Sequence, residues 1–277
     1  MPEPGDKAIL NKIVEVFNHF NEVIGVGLSG SRARDDADEC SDFDFVILAE
    51  QEVPCAQRRK AVCENYGVEE FPYFDVDHGT CIDDSIVIKG ARCEIIWMNV
   101  PFVTSYLRSL ESNFGCDEFL PGGLLNTVPL FDPEHVIATL KSEVPPYSEE
   151  RAVYRIKQHL GHAHFHMYVL RWLETAAFRK DYFCFFRHAR DLVEDFITCS
   201  FALNRLWFSA EKRVIEILSS LDLMPGNVTE RLNSIIMHTG ENSDLNHCLM
   251  NMKGLFREIA AIADNEHPDS GFPLRWE

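Results

Sequence analysis

The sequence predicts an α+β chain, with a mixed β-sheet flanked by helices over residues 1–145 and a helical bundle over residues 146–277. Three observations predict it. Short apolar runs alternate with amphipathic stretches through the first half. The segment Val144-Pro145-Pro146-Tyr147-Ser148-Glu149-Glu150 ends that alternation with a proline pair and a helix cap. Everything beyond it carries helical periodicity.

Taken in order, residues 6–20 have a helical pattern, and the run Val23 to Leu28 reads as a strand. A polar loop leads to a second strand, Phe43 to Leu48. Residues 55–66 read as helix, and Phe71 to Asp77, Ser85 to Lys89 and Arg92 to Asn99 as strands, the last two joined by Gly90-Ala91 as a hairpin. A helix over 101–113, a short strand over 127–131 and a helix from Asp132-Pro133 to about residue 142 complete the half. Beyond the boundary, helices are expected near 149–178, 181–207, 210–221, 226–238 and 243–263, then a loosely packed tail from Asp264 to Glu277.

Composition narrows the function. At 46% hydrophobic residues, 277 residues suffice for a core in each half. Nine scattered cysteines, an odd number without a C-x-x-C pair, fit neither a disulfide framework nor a zinc knuckle, and so suit a reducing cytoplasm. No run approaches the roughly 18 apolar residues that cross a bilayer, and the start lacks the basic and apolar regions of an export signal, so a soluble protein off the membrane is expected. With 44 acidic against 26 basic residues, the formal charge of −18 repels a polyphosphate backbone, and long nucleic acids are not expected partners. A small nucleotide remains open to it, because metal ions and a few backbone amides hold phosphates locally.

The chemistry concentrates in Gly27-Leu28-Ser29-Gly30-Ser31-Arg32-Ala33-Arg34, followed by Ser41-Asp42-Phe43-Asp44-Phe45-Val46-Ile47-Leu48. Period-two geometry places Asp42 and Asp44 on one face of the second strand. Two adjacent carboxylates repel, and a divalent cation with hard oxygen ligands relieves that, as magnesium with a triphosphate does. Gly30 lets backbone amides approach phosphate oxygens, and the Ser31 hydroxyl adds a donor. Asp-x-Asp alone, or Gly-Ser alone, is an ordinary turn or edge-strand pattern; their ordered combination on two strands is not.

These residues resemble the nucleotidyltransferase superfamily of the DNA polymerase beta type, whose signature is Gly-Ser, a spacer, then Asp-x-Asp on the next strand. The form found here is similar to that of small-molecule nucleotidyltransferases such as the aminoglycoside and lincosamide resistance enzymes. The stretch Phe201 to Lys212 resembles the helical domain of lincosamide-type members. The resemblance implies a nucleotidyltransferase domain over 1–145, a helical substrate-binding domain over 146–277, and two magnesium ions. It implies nucleotide contacts from Gly30, Ser31, Arg32 and Lys212, and a third carboxylate from a later strand, offered here by Glu94 in Arg92-Cys93-Glu94-Ile95-Ile96-Trp97-Met98. An acid within an apolar strand needs a metal, a basic neighbour or solvent to compensate it. Asp75 and Asp77 are its rivals.

The expected reaction moves a nucleoside monophosphate from a triphosphate, ATP first among them, to a hydroxyl of a small acceptor. Two alternatives stand beside it: an antitoxin-like enzyme that AMPylates a protein, and a catalytically inactive nucleotide-binding protein. A homodimer also stays open. Lys212 follows Ser209, a candidate helix cap, and Asp191 and Glu194 are candidate bases for the acceptor, though acids on a helix surface ordinarily serve solubility. His159, His162 and His166 share one helical face with His164 beside them. Lacking a cysteine or acid at ligand spacing, they read as packing or acceptor-pocket residues before a zinc site. Arg155 and His162 have the spacing of some helical ribonuclease motifs, a weak pattern.

Overall fold

Helix α1, Pro4–Phe17, sets Ile9, Ile13 and Phe17 on one side, and that side is buried. The computed structural model describes residues 4–66, 71–79, 81–209, 212–237 and 244–272. Strand β1, Val23–Ser29, follows, then a four-residue turn of helix, α2, Gly30–Ala33, and strand β2, Phe43–Ala49. Helix α3, Cys55–Tyr66, leads to β3, Tyr73–Asp77, β4, Ile82–Ile88, and β5, Ala91–Asn99. Helices α4, Val100–Ser109, and α5, Phe119–Asn126, precede β6, Val128–Phe131, and α6, Val136–Glu143.

The six strands form one sheet in the order β3-β4-β5-β2-β1-β6. Only the central β2–β5 pair is parallel; every other neighbour is antiparallel, so the sheet is mixed. Alternation decides what each face buries. Phe43, Phe45 and Ile47 of β2 and Cys93, Ile95 and Trp97 of β5 join Ile13 and Phe17 of α1 and Val62 of α3 in one core. The opposite face carries Asp44, Val46 and Leu48, with Ile137 of α6 packed on β1 beside Gly25 and Gly27.

A buried charge cluster ties α3 to the outer strands. Arg58, 1% exposed, donates from Nε to Asp84 Oδ2 at 3.0 Å, from Nη2 to Asp75 Oδ1 at 2.5 Å and from Nη1 to the Val53 carbonyl at 2.9 Å. Trp97 Nε1 adds a bond to Asp84 Oδ2 at 2.8 Å. Burial pushes the Asp84 carboxyl above its ordinary pKa, and the Asp75 amide, Arg58 and Trp97 pull it back part of the way.

Contacts divide the chain into two units, Met1–Pro145 and Pro146–Glu277. The described residues of the second unit form helices and the turns between them. Ser148 caps α7, Glu149–His164, by accepting from the Arg151 amide at 3.1 Å, the cap its sequence announces. Helices α8, Trp172–Arg179, α9, Tyr182–Leu203, α10, Val214–Ser219, α11, Val228–Met237, and α12, Leu245–Glu266, complete the unit, with α7 packed chiefly on α9.

Several elements differ from expectation for physical reasons. The single helix expected over 149–178 breaks where a π turn, Phe165–Val169, is followed by left-handed Arg171. The Leu170 amide there bonds back to the Phe165 carbonyl, one residue further than an α-helix allows. Helix α5 went unread because Phe119-Leu-Pro-Gly-Gly-Leu-Leu-Asn looks like a turn. Pro121 sits in the first helical turn, where its missing N–H costs nothing, and Pro121, Gly122 and Leu124 are buried. The hairpin turn falls on Lys89-Gly90, both with positive φ, rather than on Gly90-Ala91. Helix α12 runs to Glu266, and Phe272 beyond it is buried, so the expected tail is packed up to there; residues 273–277 lie outside the described ones. Among the described residues no helix is long and apolar enough to cross a membrane.

Candidate active site

Three stretches far apart in sequence meet at one end of the β1–β2–β5 strip. Strand β1 ends at Ser29, and its register pairs Ser29 with Asp44. The chain then turns through Gly30 at φ 65°, a left-handed conformation open to glycine at no steric cost. The turn also needs glycine for space, since a Cβ at Gly30 would stand 1.8 Å from Asp44 Oδ2. The Gly30–Ser31 backbone therefore lies directly on the Asp44 carboxylate. Ser31 is half-buried, and its carbonyl accepts from the Asp36 amide at 3.1 Å.

The parallel pairing of β2 with β5 sets Asp44 opposite Glu94. Directly paired residues point to the same face, so these two carboxylates are neighbours. Asp42, two residues before Asp44, immediately precedes β2 on the same side by alternation. All three acids are half-buried. Asp75 and Asp77 lie on β3, separated from β2 by β4 and β5. Asp75 is paired with Arg58, and Asp77 accepts from the Gly79 amide at 2.7 Å. The register thus brings Glu94, and neither rival, beside Asp44.

Arg32, expected as a nucleotide contact, has three partners within the chain. Its Nη1 donates to Asp6 Oδ2 at 3.0 Å, its Nε to the Asp42 carbonyl at 3.1 Å and its Nη2 to the Ser41 carbonyl at 3.0 Å. The guanidinium also stacks 3.9 Å over the Phe43 ring. Arg32 is a brace for the approach to Asp42. Behind the acids, burial pushes the Cys93 thiol up to about 12, with Asp42 and Asp44 adding to the shift, so the sulfur stays neutral.

The donor set suits a hard divalent cation, being carboxylate oxygens on adjacent strands. Among the described residues, no three His, Cys, Asp or Glu side chains already converge on one metal position. Glu94 is turned to a cation of the chain itself, its Oε1 lying 3.0 Å from Arg92 Nη2.

In the helical unit, the expected cap arrangement at Lys212 differs. The helix there begins at Val214 after left-handed Arg213, so Ser209 does not cap it. Lys212 lies exposed in the preceding turn, and residues 210 and 211 lie outside the described ones. Glu194 accepts from Arg190 Nε at 2.8 Å, an exposed pair within α9. Another acid of α9, Asp195, faces the histidines of α7. Asp195, 6% exposed, accepts from His159 Nδ1 at 2.8 Å and from His162 Nδ1 at 2.5 Å. A carboxylate only accepts, so both imidazoles carry their proton on Nδ1. Two histidines on α7 that need an acid on the facing helix were the available signal.

Residues 10–105 match the sequence model of a family described as the nucleotidyltransferase domain. No curated protein matches the chain. Among solved structures it is similar to a nucleotidyltransferase-like protein from Exiguobacterium sibiricum 255-15, at 10% identity and a TM-score of 0.44, over 94% of this chain and 77% of that one. The matched stretch, residues 10–105, contains Gly30, Ser31, Asp42, Asp44 and Glu94.

Proposed function

We propose that the protein transfers a nucleoside monophosphate from a nucleoside triphosphate, ATP first, to a hydroxyl of a small acceptor. The observation that supports this most directly is the in-register pairing of Asp44 with Glu94 beside the Gly30–Ser31 turn. Asp42, Asp44 and Glu94 would hold magnesium, two ions in the full arrangement. When bound, the metal neutralises triphosphate charge and acidifies the attacking hydroxyl.

The chain's own residues do the rest. The backbone at Gly30 and Ser31 comes within reach of phosphate oxygens because no side chain intervenes, and the Ser31 hydroxyl donates to them. Gly30 packs against Asp44 and limits that carboxylate's freedom, while Arg32 fixes the backbone of Ser41 and Asp42. A neutral Cys93 adds no competing charge beneath the site. The acceptor oxygen bonds to the α-phosphorus, the bond to the pyrophosphate breaks, and the acceptor's proton passes to water. Residues 146–277 bind the acceptor in this reading.

The test is pyrophosphate release from ATP with magnesium across a panel of hydroxyl-bearing acceptors. Asp42→Asn or Asp44→Asn should lower turnover more than about 100-fold, the upper end of what is lost when even the outer partners of a metal are removed. Full turnover in the double variant would overturn the assignment.

A further inference from the structure

Arg92 stands two residues from Glu94 on β5, on the same face. Its Nη2 lies 3.0 Å from Glu94 Oε1, with 46% of the Arg92 side chain and 28% of the Glu94 side chain exposed. Tyr73 of β3, paired through Ser85 of β4 with Glu94, presents its ring 5.8 Å from the Arg92 guanidinium carbon. The cation is therefore held by Glu94 and lies against the Tyr73 ring.

An exposed ion pair is ordinarily worth little. This one differs in what it occupies. The Glu94 oxygen that Arg92 takes belongs to a carboxylate beside Asp44, and a guanidinium and a divalent ion compete for the same lone pairs while repelling each other. Asp42 and Asp44 remain for a first ion, whereas an ion that draws on Glu94 meets the positive charge of Arg92. Triphosphate offers Arg92 another anionic partner, and bidentate phosphate binding suits a planar guanidinium.

Resting on the nucleotidyltransferase reading, we propose that Arg92 is a resident cation of the site. It competes with divalent metal for Glu94 in the nucleotide-free protein and transfers to the triphosphate when that binds. Arg92 thereby couples the two binding events, because whichever ligand draws it from Glu94 favours the other.

The experiment titrates the full chain with Mn2+ alone by calorimetry, in wild type, Arg92→Met, Glu94→Gln, the Arg92→Met/Glu94→Gln double variant and Asp42→Asn/Asp44→Asn. Thermal melts first establish that each variant is folded. Arg92→Met should bind Mn2+ about five-fold tighter or more than wild type, the lower bound of ordinary coupling. That gain should vanish when Arg92→Met is made in the Glu94→Gln background. A non-hydrolysable ATP analogue should tighten Mn2+ binding in wild type more than in Arg92→Met. Unchanged or weaker Mn2+ binding in a folded Arg92→Met overturns the proposal, as does a gain that persists without Glu94. If Asp42→Asn/Asp44→Asn binds Mn2+ as wild type does, or wild type binds none, the nucleotidyltransferase reading fails and takes the proposal with it. If only the Arg92 effect is missing, that reading survives alone.

Discussion

A Cβ at Gly30 has nowhere to go, and that makes one small residue decisive. Gly30→Ala would force a β-carbon to 1.8 Å from Asp44 Oδ2 and hold a left-handed φ that costs an L-residue about 1–2 kcal/mol. Asp44 must then turn away, so the variant should lose Mn2+ affinity while its melting temperature falls only slightly, a pair of measurements that separates site from scaffold. Asp42 and Asp44 were legible in the sequence because their spacing alone declares a shared face. The commitments of Arg32 were not, because its partners are backbone carbonyls at Ser41 and Asp42, and composition carries no trace of those.

The Arg58 cluster shows what elements demand of one another. Removing the guanidinium leaves Asp84 buried without a counter-ion, so Arg58→Ala should destabilise the first unit by about 3–5 kcal/mol in urea unfolding. In the second unit the π turn carries His166, whose ring centroid lies 4.2 Å from that of His162 and 5.9 Å from that of His188. Burial lowers its pKa first, the two neighbouring imidazoles next, and Asp195 and Asp191 oppose them. The folded form then binds the proton less readily than a free imidazole at about 6.5. Its stabilising contribution is present above that value and is lost as pH falls through the lowered one. Melting temperature should therefore drop between about pH 7 and pH 5, and His166→Gln should flatten the drop. The helical period read from the sequence ran on across this turn, since no proline or glycine between Phe165 and Arg171 marks the break. The α5 segment failed oppositely, its Pro-Gly-Gly outweighing a burial that only the folded neighbours create.

At the level of the whole molecule, a formal charge of −18 should keep polyphosphate chains away. A labelled DNA duplex is expected to show no mobility shift at about 150 mM salt, and a clear shift would expose a basic surface the composition hides. The mixed sheet and the helical second half were readable from periodicity, but the strand order was not. Nothing local tells Phe43–Ala49 to lie parallel to Ala91–Asn99 rather than against its hairpin neighbour alone. That lateral match has a consequence for how the protein is made. Because side chains swap faces with every residue, sliding β5 by one place along β2 would bury Glu94 and expose Cys93 or Ile95. Asp44 leaves the ribosome well before the strand that completes its surroundings, so this end of the sheet is finished late, by a distant closure. A chain in which that closure failed would keep its helices and still lack the Asp44–Glu94 pairing.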